Sequence, residues 1–335
     1  MKKIVFLLNE LGYGGTENQV INLVNSLSDL YKIEIICNKI SVNYKVNKKI
    51  MITELGVKEH FIGKIFESNI IKNVNPIINK ADIVVVCDSL FNKIFDKLDI
   101  RDKETIYWVH DDIGKGMNKL NRYNTVVINN ESVFKKYIFD NAVLIPYSIN
   151  LYDVKKEYGS NKRIISVGKL NKSKCYDDLI NVMELVVKED KGIYLDIIGD
   201  GEERSNITNL IKDKGLENNI NMLGSLSKFE LIEELRDSSL YISTTCSDVF
   251  NLAMLEAMSV GLPVIAFEND GNSDLITNDI DGVLIKNRNL GLMKDSILLL
   301  LNNSEKCSDL GGCAVEKSMN FDINVIKLEW IKIFK

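Results

Sequence analysis

Ser243-Thr244-Thr245-Cys246-Ser247-Asp248-Val249-Phe250-Asn251-Leu252-Ala253-Met254-Leu255-Glu256-Ala257-Met258-Ser259-Val260-Gly261-Leu262-Pro263-Val264-Ile265 holds a strand end, a polar loop, a helix and the start of another strand. Leu240–Ser243 is short and apolar, Asn251 reads as an N-cap, the helix Leu252–Val260 stops at Gly261, and Pro263–Ala266 opens a new strand. The alternation continues on both sides. Upstream lie strands over Arg163–Val167, Tyr194–Ile198 and Asn221–Leu223, with helices over Asp177–Lys188, Glu202–Lys214 and Lys228–Asp237. Downstream lie a strand over Val283–Ile285 and a helix over Leu290–Leu301. The first half repeats the scheme, with strands at Lys3–Leu8, Lys32–Cys37, Ile83–Cys87, Thr105–Val109, Thr125–Ile128 and Val143–Ile145. Its helices read as Thr16–Leu27, Phe61–Asn79, Phe91–Leu98 and Ser132–Phe139. The strands are mostly apolar on both faces, the mark of parallel sheets covered by helices on each side.

Pro146–Asn150 and the polar stretch Val154–Lys162 separate the two series and read as a hinge. The expectation is an α/β protein of two Rossmann-like, doubly wound parallel-sheet domains, residues 1–150 and 151–318, facing a cleft at the carboxyl ends of their strands. A last helix near Asp322–Phe334, within residues 319–335, is expected to cross back to the first domain.

With 335 residues, 45% hydrophobic and 27% charged, the chain is long enough for two cores and excludes a wholly disordered protein. Its longest apolar runs, such as Ile83–Cys87 and Ser296–Leu301, fall far short of the ~20 residues that span a bilayer. Asn9-Glu10 ends the opening apolar run too early for a signal peptide, so a cytosolic place is expected. Residues 1–150 carry 20 basic and 17 acidic side chains, against 22 and 30 in the remainder. A mildly basic first half suits an anionic acceptor or the inner face of a membrane, with ordinary solvated lysines as the plainer reading. No basic run interleaved with aromatics points to nucleic acid. The six cysteines, Cys37, Cys87, Cys175, Cys246, Cys307 and Cys313, form no C-x-x-C and are expected as reduced thiols. The two histidines come with no partners at ligand spacing, so no metal site is expected.

Gly12-Tyr13-Gly14-Gly15-Thr16-Glu17 lies between a strand and a helix, where backbone N–H groups meet anions. It lacks the third glycine of a dinucleotide fingerprint and the Lys-Ser/Thr of a P-loop, and a tight turn is the plainer reading. His110 sits at a strand's carboxyl end, although a lone histidine is more often structural. Asp111-Asp112 resembles a metal pair only loosely, and Asp279-Ile280-Asp281 precedes Gly282 and reads as a turn. Gly168-Lys169-Leu170-Asn171-Lys172-Ser173-Lys174 puts three lysines at a strand-to-helix junction. There they suit a diphosphate whose negative charge grows as it leaves; the plainer reading is a solvated loop. Gly199-Asp200-Gly201-Glu202 is another such turn. Glu256 lies in an otherwise apolar helix, where an unpaired acid is costly; a pair of sugar hydroxyls would satisfy it. Asp248 lies eight residues earlier, in reach of the same cleft.

Several of these features together resemble a family: Gly14, Gly15 and Glu17, the strand-end His110, Val167-Gly168-Lys169-Leu170 with Lys174, and the Ile198–Glu202 turn. Leu223–Leu226 and the block from Asp248 through Glu256-Ala257-Met258 to Gly261, Pro263 and Val264 complete the pattern. The chain resembles the retaining glycosyltransferases of the GT-B fold, family 4 or glycosyl transferases group 1, through most of its length. The resemblance implies transfer of a sugar from a nucleotide-sugar donor, most readily a UDP-sugar, with retention at the anomeric carbon. It implies that Lys169 and Lys174 hold the donor diphosphate and that Glu256 binds the ribose hydroxyls. Backbone amides near Asn251 and Leu252 would hold phosphate or sugar, and His110 and Asp248 would face the donor sugar. Gly14, Gly15, Gly168, Gly199 and Leu226 would line the donor, and Glu17, Asn18 and Asp111 the acceptor, a hydroxyl of a glycan, a lipid-linked molecule or a protein. No cofactor and no metal are implied, because lysines and a helix dipole stabilise the leaving diphosphate. The chain departs from the pattern with Lys169 in place of arginine, which keeps the charge and loses the bidentate fork. Cys175 stands where glycine usually follows the lysine, and Asp248 is one methylene shorter than the usual glutamate. These departures motivate an alternative, a non-catalytic nucleotide-sugar-binding partner of another glycosyltransferase; a sugar-nucleotide epimerase or a phosphorylase is a third reading. The first domain is short for the family, which implies an open acceptor side suited to a large or lipid-linked acceptor.

Overall fold

Both expected sheets are present in the computed structural model, which describes residues 1–12, 14–42, 44–57, 63–110, 120–136, 140–152, 156–159, 161–246 and 250–335. The chain divides into two units, Met1–Ser148 with Ile323–Lys335, and Ile149–Asp322.

The first unit runs β1 (Lys3–Leu11), α1 (Gly15–Leu27), β2 (Lys32–Ile40), β3 (Met51–Glu54), α2 (Gly63–Ile78), β4 (Ile83–Val86) and α3 (Ser89–Ile94). It continues with β5 (Glu104–Trp108), β6 (Thr125–Ile128), α4 (Glu131–Lys136) and β7 (Ala142–Leu144). Its seven strands lie in the order β3-β2-β1-β4-β5-β6-β7. Ile83-Val84-Val85-Val86 is buried on both faces, which is why β4 sits at the centre, parallel to β1 and β5. Val5, Leu7, Ile36, Val74, Val84, Phe91 and Val126 share its core.

The second unit runs β8 (Arg163–Val167), α5 (Tyr176–Glu189), β9 (Tyr194–Ile198), α6 (Arg204–Asp213), β10 (Ile220–Gly224), α7 (Lys228–Asp237) and β11 (Leu240–Ser243). It continues with α8 (Leu252–Ser259), β12 (Val264–Phe267), α9 (Asp270–Leu275), β13 (Val283–Ile285), α10 (Leu290–Leu301) and α11 (Ser304–Ser318). The sheet order is β10-β9-β8-β11-β12-β13, all parallel. Then α12 (Ile323–Ile333) joins the first unit, where Trp330 meets Trp108 edge-on at 4.6 Å. Both indoles are buried, and an aromatic side chain fully removed from water contributes roughly 1.5–3 kcal/mol.

In each sheet the chain direction of assembly reverses once, between β1 and β4 in the first unit and between β8 and β11 in the second. The carboxyl ends at such a switch point are where open α/β sheets bind ligands.

Some elements differ from the expectation. β1 and β2 run three residues further, because Glu10 pairs with Lys39 at 3.2 Å across the ladder and so polar residues extend a strand instead of ending it. The strand β3 has mostly exposed side chains and pairs along one edge only, so it carries no apolar signal. The helix α11 is absent from the expected elements, and Gly311 and Gly312 both lie inside it. A Cβ on Gly311 would sit 2.3 Å from the Gly261 carbonyl oxygen, so glycine is what lets α11 approach the end of α8. Among the described residues no helix is long and apolar enough to cross a membrane.

Candidate functional site

At the switch point of the second unit, three loops are joined by backbone hydrogen bonds. After β8, the Gly168 N–H donates to Ile198 O at 3.0 Å, and the Leu170 N–H donates to Asp200 O at 3.0 Å. Glu203 N–H returns a bond to Leu170 O at 3.0 Å, and Gly199 N–H donates to Gly224 O at 2.8 Å. Glycine is required at the crossing: φ is +138° at Gly199, and a Cβ there would lie 1.9 Å from Gly168 O. A Cβ on Gly201 would lie 2.4 Å from Leu170 O. The Gly199-Asp200-Gly201 turn therefore fixes the lysine loop, with Leu170 fully buried as its anchor.

Beyond that anchor Lys172–Lys174 forms one 3₁₀ turn that leads into α5. Lys169 is exposed and Lys174 half-buried, with the Lys174 stem passing close to Gly168. The Tyr176 hydroxyl donates to Gly168 O at 3.2 Å, and burial pushes its ionisation up. The far end of the loop is tied to the segment after β11. Cys246 N–H donates to Ser173 O at 3.0 Å, and Thr244 Oγ1 donates to Lys174 O at 3.1 Å. Cys175 and Cys246 are joined in a disulfide, which corrects the expectation of six reduced thiols. The sequence hid the pair because 71 residues separate its members, which the parallel order β8-β11 brings together. Cys37, Cys87, Cys307 and Cys313 are free. Among the described residues, Cys175, Asp178 and Cys246 also form a group of metal-type ligand atoms within 4.8 Å of one another, a cluster that spacing along the chain did not reveal.

Asn251 caps α8: its Oδ1 accepts from Met254 N–H at 3.2 Å. Its Nδ2 donates to Ser243 Oγ at 3.0 Å and to Asn272 Oδ1 at 3.1 Å, and Asn272 donates on to Phe267 O at 2.8 Å. The side chain is thus consumed by the fold, and what α8 offers a ligand is its N-terminal backbone at the half-buried Leu252 and Ala253. Glu256 is not left unpaired: Lys228, in the first turn of α7, forms an ion pair with it. Glu256 keeps 15% side-chain exposure and Lys228 43%, so the carboxylate remains reachable. Tyr152 lies near enough that burial, with a smaller contribution from the Glu256 charge, pushes its hydroxyl up. Neither Lys228 nor Tyr152 carries a motif signal, so the sequence reading passed over both. Leu226 is half-buried between β10 and α7, and Asp248 lies outside the described residues.

At the switch point of the first unit, Gly14 precedes α1 and accepts from Asn18 through its backbone N–H at 3.2 Å and its Nδ2 at 3.0 Å. A Cβ on Gly14 would lie 1.9 Å from a Glu17 carboxylate oxygen, so Glu17 folds over the glycine while Gly15 opens the helix. After β4, the half-buried Asp88 caps α3, accepting from Phe91 N–H at 2.9 Å and from Asn9 N–H. Burial, with the nearby Glu17 charge adding, pushes its carboxyl up to about 6. A single aspartate after an apolar strand gave no sequence reason to select it.

After β5, His110 Nδ1 shares a hydrogen bond of 2.7 Å with the Tyr147 hydroxyl, and the two rings stack at 5.6 Å. Burial holds the imidazole neutral, with its pKa lowered to about 3. Among the described residues its Nε2 is buried with no hydrogen-bond partner, as is Asn129 Oδ1 just after β6. Asp111 lies outside the described residues.

Residues 150–315, nearly all of the second unit, match the family model of glycosyl transferases group 1. A poly(ribitol-phosphate) alpha-N-acetylglucosaminyltransferase of Staphylococcus aureus is 30% identical over 220 residues, 64% of this chain and 44% of that protein. The chain thus spans less than half of that relative's length. An uncharacterized glycosyltransferase of Haemophilus influenzae is 27% identical over 98% of this chain and 99% of its own. The crystal structure of an S. aureus TarM mutant with fondaparinux, alpha-GlcNAc-glycerol and UDP superposes with a TM-score of 0.86 at 17% identity, covering all of both chains. That of Anabaena HepE with UDP-glucose gives 0.83 at 16% identity, over 100% of this chain and 99% of the other.

Proposed function

From the premise that the chain belongs to the glycosyl transferases group 1 and has the GT-B fold, we propose that it moves a hexosyl or N-acetylhexosaminyl group from a UDP-sugar to a hydroxyl of a glycan acceptor. In this proposal the anomeric configuration is retained and no metal ion takes part. The observation that carries it is the joined switch point of the second unit. Lys169 and Lys174 stand on a loop that the fold holds in place, beside the amide end of α8 and the reachable Glu256 carboxylate on that helix.

The roles follow from charge and geometry. As the bond from the anomeric carbon to the diphosphate oxygen breaks, negative charge builds on the leaving group, and the two ammonium groups with the α8 N-terminus offset it. Glu256, paired with Lys228 and aimed by it, accepts hydrogen bonds from the ribose hydroxyls. His110, neutral because buried, presents Nε2 to a sugar hydroxyl when Tyr147 donates to Nδ1. The acceptor hydroxyl attacks from the face the diphosphate leaves and passes its proton to a departing phosphate oxygen, so no separate base is needed.

Incubation with UDP-, GDP- and ADP-sugars, with nucleotide release measured and product configuration read by NMR, tests the reading. Turnover of UDP-sugars with retention, insensitive to EDTA and abolished in Glu256→Ala, is expected. Unchanged turnover in Glu256→Ala would sink the site, and inversion or an EDTA requirement would sink the mechanism.

A further inference from the structure

We propose that Cys175 and Cys246 are a reversible disulfide modification site that sets how firmly the second unit holds its lysine loop, and through it the donor diphosphate. The proposal rests on the donor-site reading above. The two Cα atoms lie 6.2 Å apart, a span that a disulfide bridges without moving the backbone. Cys175 directly follows Lys174, and Cys246 lies on the segment that leads from β11 to the Asn251 cap of α8. The bond therefore joins the two loops to which the diphosphate contacts are assigned.

Position also favours chemistry at this pair. Cys175 occupies the N-cap position of α5, a 14-residue helix, at the point where the lysine loop enters it. It lines a cavity of about 410 Å³ shared with Lys172 and Arg288, which gives a small oxidant a way in. Cys37 and Cys307 are buried, which pushes their thiols up to about 12 and about 11 and keeps them protonated.

The redox step balances with a peroxide as oxidant. One thiolate attacks a peroxide oxygen, the O–O bond breaks, and a sulfenic acid forms. The second sulfur then displaces its oxygen, so two thiols and one hydrogen peroxide give one disulfide and two waters. A dithiol reductant reverses the step by exchange.

The consequence for binding follows from what holds the loops otherwise. Among the described residues they share the Cys246–Ser173 backbone bond and the Thr244–Lys174 bond. Cys175 also sits at φ +49°, ψ +47°, left-handed backbone that favours glycine. Once the sulfurs separate, the strained residue is free to relax and the loop gains conformations that a bound diphosphate must remove again.

The test uses the full chain, oxidised with hydrogen peroxide or reduced with dithiothreitol, then alkylated for mass spectrometry and titrated calorimetrically with UDP. The expected result is a 175–246 linked peptide in the oxidised sample and UDP binding about threefold to tenfold tighter than in the reduced one, from the ordering that is avoided. Cys246→Ser is expected to bind like the reduced chain with or without peroxide. Should that variant not fold, Cys175→Gly, which suits the left-handed backbone, must likewise lose its response to peroxide. The inference is overturned if both cysteines stay alkylatable after peroxide, or if the link forms and the UDP affinity does not change. It is also overturned if the reduced pair with Asp178 holds stoichiometric zinc whose removal, and not oxidation, moves the affinity. If the link forms and neither state binds UDP, GDP or ADP, the donor-site reading fails and the coupling falls with it.

Discussion

The two switch points are built in opposite ways. In the second unit the loops after β8, β9, β10 and β11 bond to one another, and Asn251, Asn272, Ser243 and Thr244 use their polar atoms on neighbours. In the first unit some buried polar atoms of the described residues stay unpaired, several of them near strand ends. Among the described residues, the buried side-chain atoms without a hydrogen-bond partner are Asn9 Oδ1, Trp108 Nε1, His110 Nε2, Arg122 Nε and Asn129 Oδ1, and all of them belong to that unit. Leaving such an atom unpaired costs about 1–3 kcal/mol, which a ligand that pairs it returns. Under the proposed function, the contrast suits a division of labour in which one surface is preorganised for a constant diphosphate and the other gains its order from what it binds.

The largest effect that would sharpen the contrast is kinetic. Lys174→Ala should lower the kcat/KM for a UDP-sugar about 100-fold, the loss typical when one preorganised charge opposite a growing negative charge is removed. Its stability, read from the melting temperature, should fall far less than the kinetic loss, because the bonds that tie the loop to its neighbours run through its backbone, Lys174 O included. A fall in stability as large as the kinetic loss would mean that the loop is held by the lysine, and the contrast would break.

Stability comes next. Asn251→Ala removes a helix cap and strips Ser243 Oγ and Asn272 Oδ1 of a buried donor, so it should cost about 2–4 kcal/mol in urea unfolding. Asn289→Ala removes a cap of the same kind from α10, where Asn289 Oδ1 accepts from Leu292 N–H at 3.0 Å in an exposed setting, and should cost about 1 kcal/mol. Equal costs for the two would show that the Asn251 network adds nothing to an ordinary cap.

How much of this was legible in the sequence follows the same division. Arg163–Val167, Tyr194–Ile198, Leu240–Ser243, Lys228–Asp237 and Leu290–Leu301 form the expected elements at the expected residues, because each is an unbroken apolar or 3.6-periodic run flanked by polar turns. The Asn251 cap was legible for the same reason: its partner is three residues away. What stayed hidden depends on contacts far along the chain. Glu256 read as an acid without a partner, because Lys228 lies on another helix and only the packing of α7 on α8 supplies it. Cys175 and Cys246 read as separate thiols, since nothing local signals a pairing that the strand order creates. Asp88 and Tyr147 matter through burial, and burial of a single polar residue leaves no periodic trace.

The smallest expected effect tests the first unit by pH. The imidazole of His110 has a folded pKa of about 3 against an ordinary value of 6.5, lowered by burial, so the unfolded chain binds the proton and the native chain does not. The stability that this burial of a neutral ring contributes is complete above pH 6.5 and is lost as pH falls toward 3. Asp88 works in the other direction: its folded pKa is raised to about 6 from 3.8, so its contribution is fully present below 3.8 and is lost as pH rises through 6. Comparing the wild type with His110→Gln cancels the Asp88 contribution, because both chains carry it. Between pH 7 and 5.5 the wild type should lose about 1 kcal/mol more than His110→Gln in urea unfolding, from one extra proton on the unfolded chain. Parallel pH slopes would mean that His110 takes up its proton inside the fold, which would place a charged ring among the unpaired strand-end atoms and reverse the electrostatics assigned to that side.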